Sequence, residues 1–261
     1  MIKLFDTHTH YDDAKYVAGG KSPYDVIDKA FEENVSMILG ASIDVESAKK
    51  QIEFSDKYEN FYASVGVHPE NCPDVSEIPQ TMELFSELIK NPKVKAVGEI
   101  GLDYYWKENP PKECQKAWFE AQLQLAEKYS LPVIVHDREA HGDSFDMICK
   151  YPNVTGEFHC YSGSREMAKE LVKKGWYISF TGVVTFPNTQ RVAEVVESVP
   201  DDRILLETDC PYLAPVPKRG KVNNSTFAYY TAEKLAEIRN TTVDKIIEQT
   251  LENGKRLFMI D

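Results

Sequence analysis

His8 and His10 stand one residue apart in the opening segment DTHTH (Asp6 to His10). On an extended backbone alternate side chains share a face, so both imidazoles approach one cation from the same side. Asp6 shares their parity. An HxH pair alone is a weak signal, and its weight comes from where the other metal-binding types fall. His68, Glu99, His136, His159 and Asp209 each lie at or near the end of a short apolar run, so that five of the six histidines belong to one pattern. Neutral imidazoles combined with carboxylates suit zinc, manganese, magnesium or a similar cation, and a carboxylate with two oxygens can bridge a pair. The expected ligand sets are His8, His10, Glu99 and Asp209 for one divalent ion and Glu99, His136 and His159 for a second.

The elements that must position these residues read as eight β-branched and apolar runs separated by amphipathic stretches, the alternation of a parallel sheet built from βαβ units. The runs are Ile2 to Phe5, Ser36 to Ala41, Phe61 to Val67, Val94 to Ile100, Val133 to His136, Val154 to His159, Trp176 to Gly182 and Ile204 to Thr208. Eight such units in about 250 residues is the count of an α/β, (β/α)8 TIM barrel, whose reactive groups gather at the C-terminal ends of the strands. An open doubly wound sheet fits less well, because the first strand lacks the glycine-rich phosphate turn such folds often use.

Between the runs, Ser22 and Pro23 open a helix reaching Asn34, and Gly175 closes one that begins at Ser164. Lys112 to Tyr129 places Ala117, Ala121, Leu125 and Tyr129 on one stripe, and Thr241 with Asp244 resembles a capping box before the last helix. No repeat or linker interrupts the 261 residues, so a single domain spanning 1–261 is expected.

Hydrophobic residues make up 42% and charged residues 28% of the chain, the balance of a folded, water-soluble protein. The N-terminus carries no signal-peptide pattern and no apolar run approaches the roughly 20 residues of a membrane helix. Five scattered cysteines without a CxxC pair argue against a disulfide framework, so a cytoplasmic location is expected and no membrane partner. The net charge of -12 means that any nucleic-acid role is local or metal-mediated, since phosphate neutralisation by the protein surface normally needs a basic chain.

The segments DTHTH, GVHP (Gly66 to Pro69), GEIGLDYYW (Gly98 to Trp106), HDREA (His136 to Ala140), FHCYSGS (Phe158 to Ser164), ETDCPYLAP (Glu207 to Pro215) and PKRGK (Pro217 to Lys221) follow one another in order. Together they resemble the TatD family of metal-dependent deoxyribonucleases, among the amidohydrolase-like barrels, from Asp6 to the closing NGKRLF (Asn253 to Phe258). The resemblance implies a binuclear metal centre on the six positions already found. It also implies nuclease activity of the 3′ to 5′ exonuclease type, with DNA, as single strands or 3′ ends, for substrate. Two departures stand out. Glu70 replaces a histidine frequent after GVHP, and Val222, Asn223, Asn224 and Ser225 replace an Asn-Glu-Pro-like stretch, which bears on substrate contacts at the rim.

In phosphodiester hydrolysis two cations polarise the phosphate and lower the pKa of a bound water. Asp209 is the candidate general base, and His68 is assigned to phosphate contact or leaving-group protonation. Asp6 and Glu207, two residues from ligands, are expected to orient imidazoles from behind. Tyr104, Tyr105 and Trp106 offer stacking faces for a base, and Arg138 and Arg219, the latter flanked by Lys218 and Lys221, offer phosphate contacts, as does Arg165. Cys160 and Cys210, adjoining ligands with opposite parity, are expected in the core. Rival readings are an amide or phosphotriester hydrolase on the same barrel, or a metal-binding protein without turnover. Many sites of the former kind bridge their metals with a carbamylated lysine, where this chain has Glu99.

Overall fold

The computed structural model describes residues 3–261, so Ile2 of the expected first strand lies outside the described residues. Eight strands are ordered β1 to β8 in one sheet and alternate with helices, the (β/α)8 barrel architecture. The chain divides into two compact units, Met1–Gly40 with Cys160–Asp261, and Ala41–His159.

The first unit carries β1 (Leu4–Thr9), α1 (Ala14–Ala18), α2 (Pro23–Glu32) and β2 (Val35–Gly40). The second carries α3 (Val45–Lys57), β3 (Phe61–Val65), α4 (Ile78–Leu88), β4 (Val94–Asp103), α5 (Lys112–Tyr129), β5 (Val133–Arg138), α6 (His141–Cys149) and β6 (Gly156–Phe158). The remainder of the first unit is α7 (Arg165–Lys173), β7 (Tyr177–Phe180), α8 (Gln190–Ser198), β8 (Ile204–Leu206), α9 (Ala228–Ile238) and α10 (Val243–Leu257). Pairing is parallel between β1 and β2, from β3 through to β6, and between β7 and β8.

Three strands run further than the apolar pattern suggested, β5 by two residues to Arg138, and in β1 and β4 the reason is that polar residues are buried with partners. All six residues of β1 are buried, and the Thr9 hydroxyl donates to Leu39 O at 3.1 Å. His8 therefore lies within β1 rather than after it. β4 continues past Ile100 to Asp103, so Glu99 sits inside the strand. Conversely β6 and β8 keep only three residues each, and His159 and Asp209 follow them in irregular backbone.

The helix boundaries follow their caps. Ser164 accepts from Met167 N to open α7, and Gly175 follows it at φ 91°, a left-handed position that glycine fills without strain. The last helix is capped by Thr242, which accepts from Lys245 N, so the expected Thr241/Asp244 box is displaced by one residue. In α5 the expected stripe is rotated. Leu125 is buried, but Ala117, Ala121 and Tyr129 are only half-buried, and the covered face comprises Gln115, Trp118, Phe119, Gln122, Leu123, Leu125 and Ala126. Two glutamines on the inward face hide the apolar period. Among the described residues no helix is long and apolar enough to cross a membrane, and all five cysteines are free.

Candidate metal centre

Alternation along β1 places Asp6, His8 and His10 on one side, as the sequence spacing requires. His8 Nε2 and His10 Nε2 stand 3.0 Å apart, and the Asp209 carboxylate oxygen Oδ1 lies 3.4 Å from the second and 3.9 Å from the first. Asp209 reaches them because its backbone is in the left-handed region, φ 55°, where aspartate is among the residues that tolerate it. Its N–H donates to His8 O at 3.0 Å, and His10 N donates to Cys210 O at 2.7 Å, so the two ligand-bearing segments are stitched together on both sides of the donors.

A second group gathers in the other unit. Glu99 Oε1 lies 2.8 Å from His136 Nδ1, 2.8 Å from His159 Nε2 and 3.3 Å from His68 Nε2. The register between β4 and β5 explains how Glu99 is aimed. Gly98 pairs with Ile134 and Ile100 with Val135, so two residues of β4 advance for one of β5 and Glu99 is the bulged residue. Bulges beside functional sites re-aim side chains in this way. Gly98 is required there, since a Cβ would meet Ile134 Cβ at 2.6 Å.

Tetrahedral ligands about 2.0–2.1 Å from a zinc-sized ion are separated from one another by about 3.3 Å. The donor separations, 3.0 to 3.9 Å in the first group and 2.8 to 3.3 Å in the second, lie near that spacing, and the donors are imidazole nitrogens and carboxylate oxygens, the chemistry a divalent cation takes. The residues fit the ions. Each group contains three such donors, buried or largely so: His8, His10 and Asp209 in one, and Glu99, His136 and His159 in the other, with His68 Nε2 beside Glu99.

His68 stands beside the second group, its Nε2 3.3 Å from Glu99 Oε1. Its Nδ1 accepts from Glu70 N at 3.2 Å, which leaves the proton of the neutral ring on Nε2, facing Glu99. Burial pushes the His68 ring below the usual histidine value against the pull of Glu99, so it is neutral. Asp103, not foreseen from the sequence, accepts from His136 Nε2 at 3.1 Å. Burial raises its carboxyl, but hydrogen bonds from His136 and from the Tyr105 and Trp106 backbone outweigh that and hold it below the usual range. The signal was present in GEIGLD, where Asp103 is four residues from Glu99 and shares its parity, once β4 is known to continue.

The expected backing residues differ in their partners. Asp6 accepts from Thr208 N at 2.9 Å and from the Thr208 hydroxyl at 2.6 Å, so it joins β1 to the segment after β8 where an imidazole had been expected. Burial pushes its carboxyl up to about 7, opposed by hydrogen bonds from Ser225 and Thr208. Glu207 is fully buried and accepts from Cys160 N at 2.5 Å. Cys210 is in the core as expected, but Cys160 is only half-buried, with its sulfur 3.3 Å from the Thr181 hydroxyl.

Of the substrate-contact candidates, Tyr105 and Trp106 are 51% and 48% exposed, and the Arg138 guanidinium lies 4.2 Å above the Tyr105 ring. Tyr104 is engaged in packing, donating to Asp143 at 2.7 Å beneath the Lys112 ammonium. Arg219 stacks on Phe186 at 4.1 Å. The Val222 to Ser225 departure is structural as well. Asn223 and Ser225 are fully buried, and the Asn223 amide donates to Thr208 O and Tyr212 O at 3.0 and 2.6 Å.

A (β/α)8 barrel with imidazoles and carboxylates converging where its strands end has the build of a metal-binding barrel protein. The family model described as TatD related DNase matches residues 5–259. The chain belongs to that family of metal-dependent hydrolases. It is 39% identical over 260 residues to the Bacillus subtilis metal-dependent hydrolase YabD, covering 99% of this chain and 100% of the relative. It is 36% identical over 260 residues to the Escherichia coli K12 metal-dependent hydrolase YcfH, covering 99% and 96% respectively. Among solved structures, the TatD homologue YjjV of Escherichia coli K12 aligns with a TM-score of 0.87 at 28% identity, over 99% of this chain and 98% of that one.

Proposed function

We propose that this protein is a deoxyribonuclease, of the 3′ to 5′ exonuclease type, that hydrolyses phosphodiester bonds with two divalent ions. One ion is assigned to His8, His10, Glu99 and Asp209, and the other to Glu99, His136 and His159. Bound there, divalent cations supply polarisation of the phosphate and a water of lowered pKa. The chain's own residues then have distinct tasks. Asp209 is the proton acceptor, being the most exposed of the donors, with 17% of its side chain open. His68, neutral and carrying its proton on Nε2, donates a hydrogen bond toward Glu99 in the free protein. In the complex it is assigned to the phosphate or the leaving oxygen. Arg138 and the exposed ring of Tyr105 are placed to hold a base and its phosphate by stacking and charge.

The observation that carries the reading is the convergence of three imidazole nitrogens on Glu99 Oε1 within 3.3 Å, in a chain whose family model is described as a DNase. The test is to incubate metal-reconstituted protein and a Glu99→Ala variant with single- and double-stranded DNA, RNA and p-nitrophenyl phosphates. Release of nucleotides from DNA by the wild type, with at least a 100-fold loss in the variant, is expected. Release of none under any divalent metal would overturn the nuclease assignment, and turnover of phosphotriesters or amides alone would favour the rival hydrolase.

A further inference from the structure

The first unit contains a cavity of about 720 Å³ whose lining reverses the sign of the molecule. The chain as a whole carries -12, yet four lysines line this cavity, Lys21, Lys29, Lys218 and Lys221, against the two carboxylates of Asp25 and Glu33. One of those carboxylates is already engaged, since Glu33 lies 3.5 Å from the Lys29 ammonium. Aromatic faces line the same space. The Lys218 ammonium stands 5.4 Å from the Phe227 ring and 5.1 Å from the Tyr230 ring.

Two of its walls belong to segments that follow metal donors in the chain. Lys21 lies in the segment that follows β1 and its His10, whereas Lys218 and Lys221 lie in the segment that follows β8 and Asp209. Asn223 fastens the latter by its bonds to Thr208 O and Tyr212 O. The other wall is α2, ten residues and so about 15 Å long, with Lys29 in its last turn.

We infer that this groove is a docking track for single-stranded nucleic acid, holding the part of a polynucleotide away from the bond being cut. The inference rests on the nuclease reading. Its warrant is complementarity of two kinds. Cations spaced along a groove follow a phosphate backbone, and interleaved aromatic rings accept bases of any sequence, the combination used by proteins that hold single strands without sequence preference. A metal centre holds only the phosphate at the bond being cut, and this local reversal of charge supplies an acidic chain with a means to retain the rest of a long polyanion.

The test compares the wild type with Lys21→Ala/Lys29→Ala and with Tyr230→Ala. Binding of fluorescein-labelled dT20 in EDTA is followed by anisotropy across a salt series. Hydrolysis of dT20 is compared with that of p-nitrophenyl thymidine phosphate in divalent metal. The lysine pair is expected to lose about tenfold in dT20 affinity and to lower the salt slope by about 1.4, at about 0.7 per phosphate contact. Its preference for dT20 over the small ester is expected to fall by a similar factor, and Tyr230→Ala to weaken binding without changing the slope. Unaltered affinity and slope in the lysine variant would overturn the track, as would competition by poly-glutamate equal to that by unlabelled dT20. Hydrolysis of both substrates with dT20 binding that no variant alters removes the track and leaves the nuclease reading standing. Absence of hydrolysis removes that reading, while the binding comparison still decides the track.

Discussion

A carboxylate can only accept a hydrogen bond, so the histidine beside it must present its N–H there and its lone pair elsewhere. Asp103 is assigned this task toward His136: with a cation held at the Glu99 group, Nε2–H directed at Asp103 leaves Nδ1 as the lone-pair nitrogen on the side of Glu99 and His159. Partners of this kind fix ring orientation and raise ligand basicity, and losing one typically costs 10–100-fold in metal affinity. Asp103→Ala is therefore expected to weaken zinc binding at the Glu99 group by about that factor while sparing His8, His10 and Asp209. Competition with a chelating dye measures it, with circular dichroism melting as the control for folding. Equal affinity in the variant would show that Asp103 only packs. Residue types and spacing made six ligand candidates legible, because imidazole and carboxylate chemistry is carried by the side chain itself. Asp103 was not legible, since recognising it needs the bulge at Glu99 and the continuation of β4, and both depend on pairing with β5. For the same reason Asp6 was read as backing a ligand when its bonds go to Thr208.

Elements were easier to recognise where apolar residues alone form the buried face, and harder where a polar residue is buried against backbone. The helix α5 begins and ends where its sequence suggests, yet its inward face was misplaced because Gln115 and Gln122 occupy it. They are seven residues apart, two helical turns, and each closes a pair of hydrogen bonds with one strand-end residue. Gln115 accepts from Asp103 N and donates to Asp103 O at 2.9 and 3.0 Å, and Gln122 accepts from Val67 N and donates to Val67 O at 2.6 and 3.1 Å. One helix thereby fixes the backbone under Asp103 and under the residue preceding His68. Gln122→Leu keeps the volume and removes both bonds, leaving the N–H and C=O of buried Val67 without that partner. At about 1–3 kcal/mol for each of the two buried unsatisfied groups, the expected loss is roughly 2–6 kcal/mol, read as a lowered urea midpoint at unchanged slope. A loss below about 1 kcal/mol would mean that water or a shifted strand replaces the amide.

At the scale of the whole chain, each of the two compact units holds a group of donors, and the two-ion proposal assigns one ion to each and takes the two to bind independently. Metal binding to the folded state alone stabilises by RT ln(1 + [L]/Kd), about 2.7 kcal/mol for a site at 100 times its Kd. Two independent groups saturated to that degree give about 5 kcal/mol. At roughly 2–4 °C per kcal/mol for chains of this general size, the melting temperature rises by roughly 10–20 °C between EDTA and saturating zinc or manganese. His10→Ala and His159→Ala, each lacking a donor in one group, are expected to show about half that rise, with the metal-free form of each variant as its own reference. Elemental analysis should then find two ions per chain in the wild type and one in each variant. Sodium chloride at matched ionic strength controls for general screening, which counts in a chain of net charge -12. A variant that keeps the full rise would remove its histidine from the ligand set. One that loses the whole rise would show that the groups bind only together, and independence would have to give way to a single cooperative centre.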